Sequence, residues 1–138
     1  MRKTTESQDS LDLNTLSAAA ILEGLDTQFI GQTVVYRAEL DSTNDEARRL
    51  ARAGTPDGTL IIADYQNRGR GRLDRSWIAP RGTCLLMSIV FRPELAPHQV
   101  QRLTMSCGLA VVDAIEQQTG LRADLKWPND VVIAGCKL

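Results

Sequence analysis

Thr59 to Phe91 reads TLIIADYQNRGRGRLDRSWIAPRGTCLLMSIVF, and the fold turns on how that stretch divides. Thr59 to Tyr65 has the apolar, β-branched character of a strand, and Thr83 to Phe91 is apolar enough to be a buried central strand. Residues 66–82 between them carry too many glycines and charges for helix or strand. The expected local structure is a functional loop between two core strands.

Within that loop Gln66-Asn67-Arg68-Gly69-Arg70-Gly71-Arg72-Leu73-Asp74-Arg75-Ser76-Trp77, together with Arg81, sets five arginines against one acid. Guanidinium forks grip phosphate or carboxylate bidentately, and Gly69 and Gly71 let backbone amides approach an oxyanion closely. Trp77 could close over a bound ring. Two other readings stand beside anion binding: a solvated basic loop without a ligand, and an arginine-glycine segment for RNA. The RNA reading is weakened by context, because such tracts are usually repeated and disordered, whereas this one is single, short and flanked by apolar strands.

Outward from the loop, helix and strand signals alternate. Upstream, Asn14 or Thr15 caps a short helix carrying Leu16, Ala20, Leu22 and Leu25, and Thr33 to Leu40 reads as a strand. Thr43 with Glu46 makes a capping box for a helix carrying Ala47, Leu50 and Ala51, stopped by Gly54 and Pro56-Asp57-Gly58. Downstream, Val100, Leu103, Cys107, Ala110 and Ala114 recur at helical spacing, so residues 98–118 form the longest amphipathic helix with that stripe in the core, ended by Gly120. Leu121, Ala123 and Leu125 alternate as a strand that Trp127-Pro128-Asn129-Asp130 interrupts before Val131 to Ile133. So short a connection favours an antiparallel hairpin, because a parallel crossover needs a dozen or more residues.

At 138 residues and 43% hydrophobic the chain is sized for one compact domain with its own core. Residues 1–10 are polar and expected to be a mobile tail, leaving residues 11–138 as the domain. Sixteen basic against 17 acidic residues give a net charge of -1, so nothing global draws the chain to nucleic acid or to an anionic membrane. The apolar run from Cys84 to Phe91, interrupted by Ser88, is far short of the ~20 residues that span a bilayer, and no apolar leader opens the sequence. Cys84, Cys107 and Cys136 are widely spaced and read as reduced thiols, so a cytoplasmic location is expected. The one histidine, His98, sits beside Pro97 as a surface cap, which leaves none for a Ser-His-Asp site or a zinc cluster. The chemistry must run on Arg, Lys, Asn, Ser, Thr and carboxylates.

Two further clusters carry polar groups at structural corners. Asp41-Ser42-Thr43-Asn44 lies where a strand ends and a helix begins. A cap needs one or two of these oxygens, and four together also suit a small ligand with both donors and acceptors, such as a cyclic urea. In Lys126-Trp127-Pro128-Asn129-Asp130 the proline enforces a rigid turn between strands. That turn has a structural reading and a functional one, in which Lys126, Asn129 and Asp130 turn toward a nucleotide with Trp127 anchoring the turn in the core, and neither excludes the other. Lys137 alone would pass for a surface lysine.

DSTN, QNRGRGRLDRSW, KWPND and GCKL in this order resemble the biotin protein ligase family, over Thr33 to Leu138. The resemblance implies an α+β catalytic domain of the biotin/lipoate ligase type, with a mixed, largely antiparallel sheet packed by helices. It implies biotin binding by Ser42, Thr43, Asn44, Gln66, Arg70, Gly71 and Arg72, with Lys137 on the ligand carboxylate and phosphate. Arg70, Arg72, Trp77, Lys126 and Asn129 fall on the ATP side, and Arg72 and Lys137 are the catalytic cations. Biotin and ATP are the implied substrates, with Mg2+ accompanying ATP and the metal ligands undefined. The implied acceptor is a biotin carboxyl carrier domain of a carboxylase.

The implied reaction is attack of the biotin carboxylate on the α-phosphate, then transfer from biotinyl-adenylate to a lysine of the acceptor. Two departures accompany the resemblance. Asp74 stands where the family has glycine, adding a carboxylate and a Cβ to the loop. The family's domain also continues beyond the lysine, so a truncated domain with little activity of its own is expected. Forty residues before Asp41 are too few for a DNA-binding winged helix, and no DNA partner is expected. Lipoate ligase is the enzyme alternative, and a non-catalytic ligand- or RNA-binding module is the other.

Overall fold

The computed structural model describes residues 16–71, 73 and 75–138. The expected tail at 1–10, the caps proposed at Asn14 and Thr15, and Arg72 and Asp74 lie outside the described residues. The chain divides into two compact units, the first ending at Arg92 and the second running from Pro93 to Leu138.

The first unit contains α1 (Ala18–Gly24), β1 (Val34–Arg37), α2 (Thr43–Arg52), β2 (Leu60–Ala63) and β3 (Leu86–Ile89). Helix α1 is capped by Ser17, whose hydroxyl accepts from the Ala20 N–H at 3.1 Å. The sheet order is β1-β2-β3, with β1 parallel and β3 antiparallel to β2. A parallel pair needs a crossover, and α2 supplies it. Its acidic first turn (Asp45, Glu46) and basic last turn (Arg49, Arg52) complement the helix dipole. Ala47, Ile61 and Val90 form the centre of the core, with Val35, Leu40, Leu50 and Ala51 packed against them.

The central strand is β2, all four of whose residues are buried, and β3 lies at an edge of this sheet, contrary to the expectation for Thr83 to Phe91. Only Leu86 and Val90 of that stretch are buried hydrophobics, while Leu85 and Met87 are exposed. A continuous apolar run marks a strand without saying which of its faces is covered. The capping box also fails. Ser42 is the N-cap, Thr43 is the first helical residue, and the Ser42 side chain makes no capping hydrogen bond. Glu46 is instead drawn to Arg49 through two 2.8 Å bonds. That pairing holds the Glu46 carboxyl below and the Arg49 guanidinium above their ordinary ranges.

The second unit has a 3-10 turn (Pro97–Gln99) containing the exposed His98, then α3 (Val100–Thr119), β4 (Asp124–Lys126), β5 (Asp130–Ile133) and β6 (Cys136–Lys137). Gly120, with φ 69°, ends α3 in the left-handed region. The expected hairpin is present: β4, β5 and β6 form an antiparallel sheet in that order. Three of the four strand pairings in the two sheets are therefore antiparallel.

The core stripe assigned to α3 needs correction. Val100, Cys107, Ala110 and Ala114 are exposed, and the half-buried positions are Leu103, Gly108, Val112 and Ile115. A Cβ on Gly108 would lie 2.7 Å from Leu125 Cδ1, so the missing side chain is what lets β4 approach the helix. With Met105, Leu109 and Val111 also exposed, α3 is apolar around most of its circumference, and spacing alone could not select its packed face. Trp127 is 71% exposed and does not anchor its turn in a core. The peptide bond from Trp127 to Pro128 is cis.

Candidate ligand site around the arginine loop

Chain pairing just beyond the strands brings the DSTN turn to the start of the loop. Leu40 N–H donates to Tyr65 O at 3.2 Å, Asn67 N–H to Leu40 O at 2.9 Å and Arg68 N–H to Asp41 O at 2.8 Å. Gln66 is thereby set against the N-terminus of α2. Its Oε1 accepts from the Thr43 N–H at 2.7 Å and from the Thr43 hydroxyl at 3.0 Å. This satisfies one of the first-turn amides a helix leaves unpaired. Ser88 on β3 joins from the other side, its hydroxyl 2.9 Å from Thr43 Oγ1 and 3.1 Å from Asn44 Oδ1. Thr43 and Ser42 are buried, and Ser42 Oγ has no hydrogen-bond partner among the described residues. A buried hydroxyl left unpaired costs about 1–3 kcal/mol, which a polar ligand could recover.

The loop is less irregular than its composition suggests. Arg70 and Ser76 form an antiparallel bridge, Gly71 N–H donates to Arg75 O at 2.7 Å and Trp77 N–H to Gly69 O at 2.8 Å. The Gly71 amide, expected to face an oxyanion, is thus committed to closing the loop on itself. Gly69 is needed because a Cβ there would lie 2.4 Å from Trp77 O. The loop lines an open cavity of about 520 Å³ whose walls include Tyr65, Gln66, Arg70, Gly71, Ser76 and Trp77. That volume suits a small molecule.

The arginine excess is partly balanced by acids that lie far away in sequence. Arg70 pairs with Asp45 of α2 at 3.1 Å. Arg81 pairs with Glu39, stacks over the Tyr65 ring at 4.6 Å and donates to Ala38 O at 3.3 Å. Asn67 donates to the same Glu39 at 3.0 Å, so one carboxylate ties both stems of the loop. The Asn67 hydrogen bond, and then Arg81, hold the Glu39 carboxyl below the usual carboxylate range.

Of the residues expected at the site, the structure brings Thr43, Asn44 and Gln66 into one network, with the buried Ser42 adjacent. It places Gln66, Arg70, Gly71 and Trp77 around the cavity. Lys126, Asn129 and Lys137 belong to the second unit. There Lys137 of β6 reaches Asp130 of β5 at 2.8 Å, and Asn129 Nδ2 lies 3.4 Å from the same carboxylate. Ser88, Asp45 and Glu39 had no assigned role in the sequence, and Arg81 was counted only among the cations of the anion loop. A serine interrupting an apolar strand was the only signal for Ser88. Among the described residues no three His, Cys, Asp or Glu side chains gather as a metal site, and no helix is long and apolar enough to cross a membrane.

Comparison with known proteins points in one direction. The model of the biotin/lipoate A/B protein ligase family matches residues 36–138. The chain is 41% identical over 122 residues to the bifunctional ligase/repressor BirA of Bacillus subtilis, covering 88% of this chain and 38% of that protein. It is 37% identical over 106 residues to the biotin–acetyl-CoA-carboxylase ligase of Mycobacterium tuberculosis, covering 73% and 40%. Among solved structures, the biotin protein ligase of Aquifex aeolicus in complex with biotin and ATP matches with a TM-score of 0.66 and 36% identity, over 78% of this chain and 44% of that one. The chain therefore spans about two fifths of the length of these relatives.

Proposed function

Because the chain belongs to the biotin/lipoate A/B protein ligase family, we propose that it is part of a biotin protein ligase. Such an enzyme adenylates biotin with ATP and transfers the biotinyl group to a lysine of a biotin carboxyl carrier domain, here in the cytoplasm. The observation that carries this reading is the polar network at the head of α2, where Gln66, Thr43, Ser88 and Asn44 meet beside the Ser42 hydroxyl, unpartnered among the described residues, and a cavity bounded by the arginine loop.

A cyclic urea has two N–H donors and one carbonyl acceptor. A site of hydroxyls and amides matches it and discriminates strongly against rings that lack those groups. The apolar dithiolane of lipoate has no use for them. In the adenylation step a biotin carboxylate oxygen attacks the α-phosphorus and pyrophosphate leaves. An acceptor lysine amine then attacks the acyl carbon and AMP leaves. Two anions must first be brought together, and fixed cations are what lower that barrier. Arg70 and Arg72 serve this from the loop, and Lys137 engages the ligand carboxylate and phosphate. Trp77, Lys126 and Asn129 serve the adenine side. Mg2+ enters with the triphosphate as part of the substrate.

Titration calorimetry against biotin, lipoate and a short single-stranded RNA tests the reading. Biotin alone is expected to bind, with little dependence on salt. Lipoate binding as tight as biotin, or RNA binding that weakens steeply with salt, would refute it. Biotin-dependent release of pyrophosphate from MgATP is the corresponding chemical assay.

A further inference from the structure

Gln66, Thr43, Ser88 and Asn44 form a continuous line of polar contacts whose direction is fixed at one end. The backbone N–H of Thr43 has only a proton to give, so the Gln66 atom 2.7 Å from it is the carbonyl Oε1 and not Nε2. An amide oxygen carries no hydrogen, and the Thr43 hydroxyl 3.0 Å away must donate to it. Thr43 has then used its single hydroxyl proton. Its 2.9 Å contact with Ser88 closes only if Ser88 donates to Thr43 Oγ1. Ser88 has now used its own proton as well. The Asn44 amide lies with its Oδ1 3.1 Å from Ser88 Oγ; the two ends of a side-chain amide have the same shape, and the line is completed only with that amide turned over, so that its NH2 donates to Ser88. With the Asn44 oxygen in that place, one Ser88 proton would be shared between two acceptors and both bonds would weaken.

We propose that Ser88 is a positioning residue that sets the donor and acceptor polarity of the ligand site, through a one-way relay from Asn44 to Ser88 to Thr43 to Gln66. Bonds aligned head to tail polarise one another, so the arrangement reinforces itself. The relay leaves Asn44 Oδ1 as an acceptor and Gln66 Nε2 as a donor for a ligand. Asn44 is exposed and Gln66 is half-buried on the cavity wall, so both ends are open to an incoming molecule. A cyclic urea needs both, an acceptor for its N–H and a donor for its carbonyl. Identifying that ligand as biotin rests on the function proposed above, whereas the relay does not.

The test has two arms on the full chain, comparing the parent with Ser88→Ala and Ser88→Thr. In the ligand-free arm, NMR follows the Asn44 side-chain NH2. Ser88→Ala is expected to shift its resonances and speed its hydrogen exchange, and Ser88→Thr, which keeps a hydroxyl at the same place, is expected to restore both. Backbone resonances of Ile61 and Val90 report whether the core is intact. In the second arm, calorimetry is expected to find biotin binding about tenfold weaker in Ser88→Ala and near the parent value in Ser88→Thr. An Asn44 side chain indifferent to Ser88→Ala would overturn the relay whatever the affinity. Unchanged biotin affinity in a folded Ser88→Ala variant would overturn its role in ligand polarity. A parent chain that binds no biotin would overturn the identity of the ligand, and the NMR arm would still judge the relay.

Discussion

Gly69→Ala should damage ligand binding out of proportion to the size of a methyl group. The added Cβ would lie 2.4 Å from the Trp77 carbonyl oxygen and 3.0 Å from Gln66 Nε2. An ordinary carbon–oxygen approach is about 3.3 Å, so the loop neck must open by about 0.9 Å. The 2.8 Å bond from Trp77 N–H to Gly69 O joins the same two residues and must stretch or break. Gln66 Nε2 is displaced in the same movement, and it is the donor left over once Thr43 has taken Oε1. Losing one well-placed donor to a desolvated ligand costs about 1–3 kcal/mol, or roughly 5- to 150-fold in Kd. The buried core around Ile61 is not touched, so the variant should remain folded. Calorimetric titration with biotin reads the effect directly. Gly71→Ala is the graded control, since its Cβ would meet Arg75 O at 3.3 Å, and Gly24→Ala is the neutral one, with nothing within 4 Å. A folded Gly69→Ala variant binding biotin within about twofold of the parent would refute the reasoning, because no displacement of the size worked out above leaves a hydrogen bond at full strength.

Three further outcomes follow from the loop. Glu39 has a lowered folded-state pKa, so its clamp on Asn67 and Arg81 is fully present above the ordinary carboxylate range and is lost as pH falls through the depressed value. Hydrogen exchange of loop amides, corrected for intrinsic rates, should be steady near neutrality and accelerate in acid, whereas Glu39→Gln should be fast and flat with pH; a flat parent profile would refute the clamp. Trp77→Ala should weaken ATP roughly 5- to 150-fold, as loss of a stacking face does, with less effect on biotin; equal losses for both ligands in calorimetry would remove Trp77 from the adenine side. Arg72→Ala should slow adenylation more than it weakens biotin, since stabilisation of growing charge acts in the transition state; an unchanged single-turnover rate would exclude that role.

Local chemistry in this chain was legible and long-range choice was not. The turn at Lys126 to Asp130 followed from one proline and the short spacing, and the antiparallel pairing of β4 with β5 came with it. Residues 66–82 followed from their glycines and charges. The Thr43 capping box failed because a capping rule weighs neighbours within one turn, while Thr43 is claimed by Gln66, 23 residues away, and by Ser88, 45 residues away. The buried stripe of α3 failed for a related reason. Several faces of that helix are apolar, and the close approach of Leu125 to Gly108 selects one of them.

The same division runs through the candidate site. Four polar residues at a strand–helix corner exceed what capping needs, so Ser42, Thr43 and Asn44 were visible in the sequence as ligand candidates. The net charge of the arginine loop was visible too, but not what tempers it. Asp45 and Glu39 reach Arg70 and Arg81 only because Leu40 and Asp41 are hydrogen-bonded alongside Tyr65 to Arg68. Two of the loop's cations are therefore held by acids on the neighbouring turn before any ligand arrives. An incoming anion must compete with Asp45 for Arg70, an exposed pair worth at most about 1 kcal/mol. Charge–charge hydrogen bonds to a desolvated phosphate are worth about 1.5–3 kcal/mol each, so on the function proposed above the phosphate would win that exchange. On the role proposed for Arg70, Asp45 is a placeholder that keeps the guanidinium oriented toward the head of α2 until substrate displaces it, and only the folded chain brings the two together.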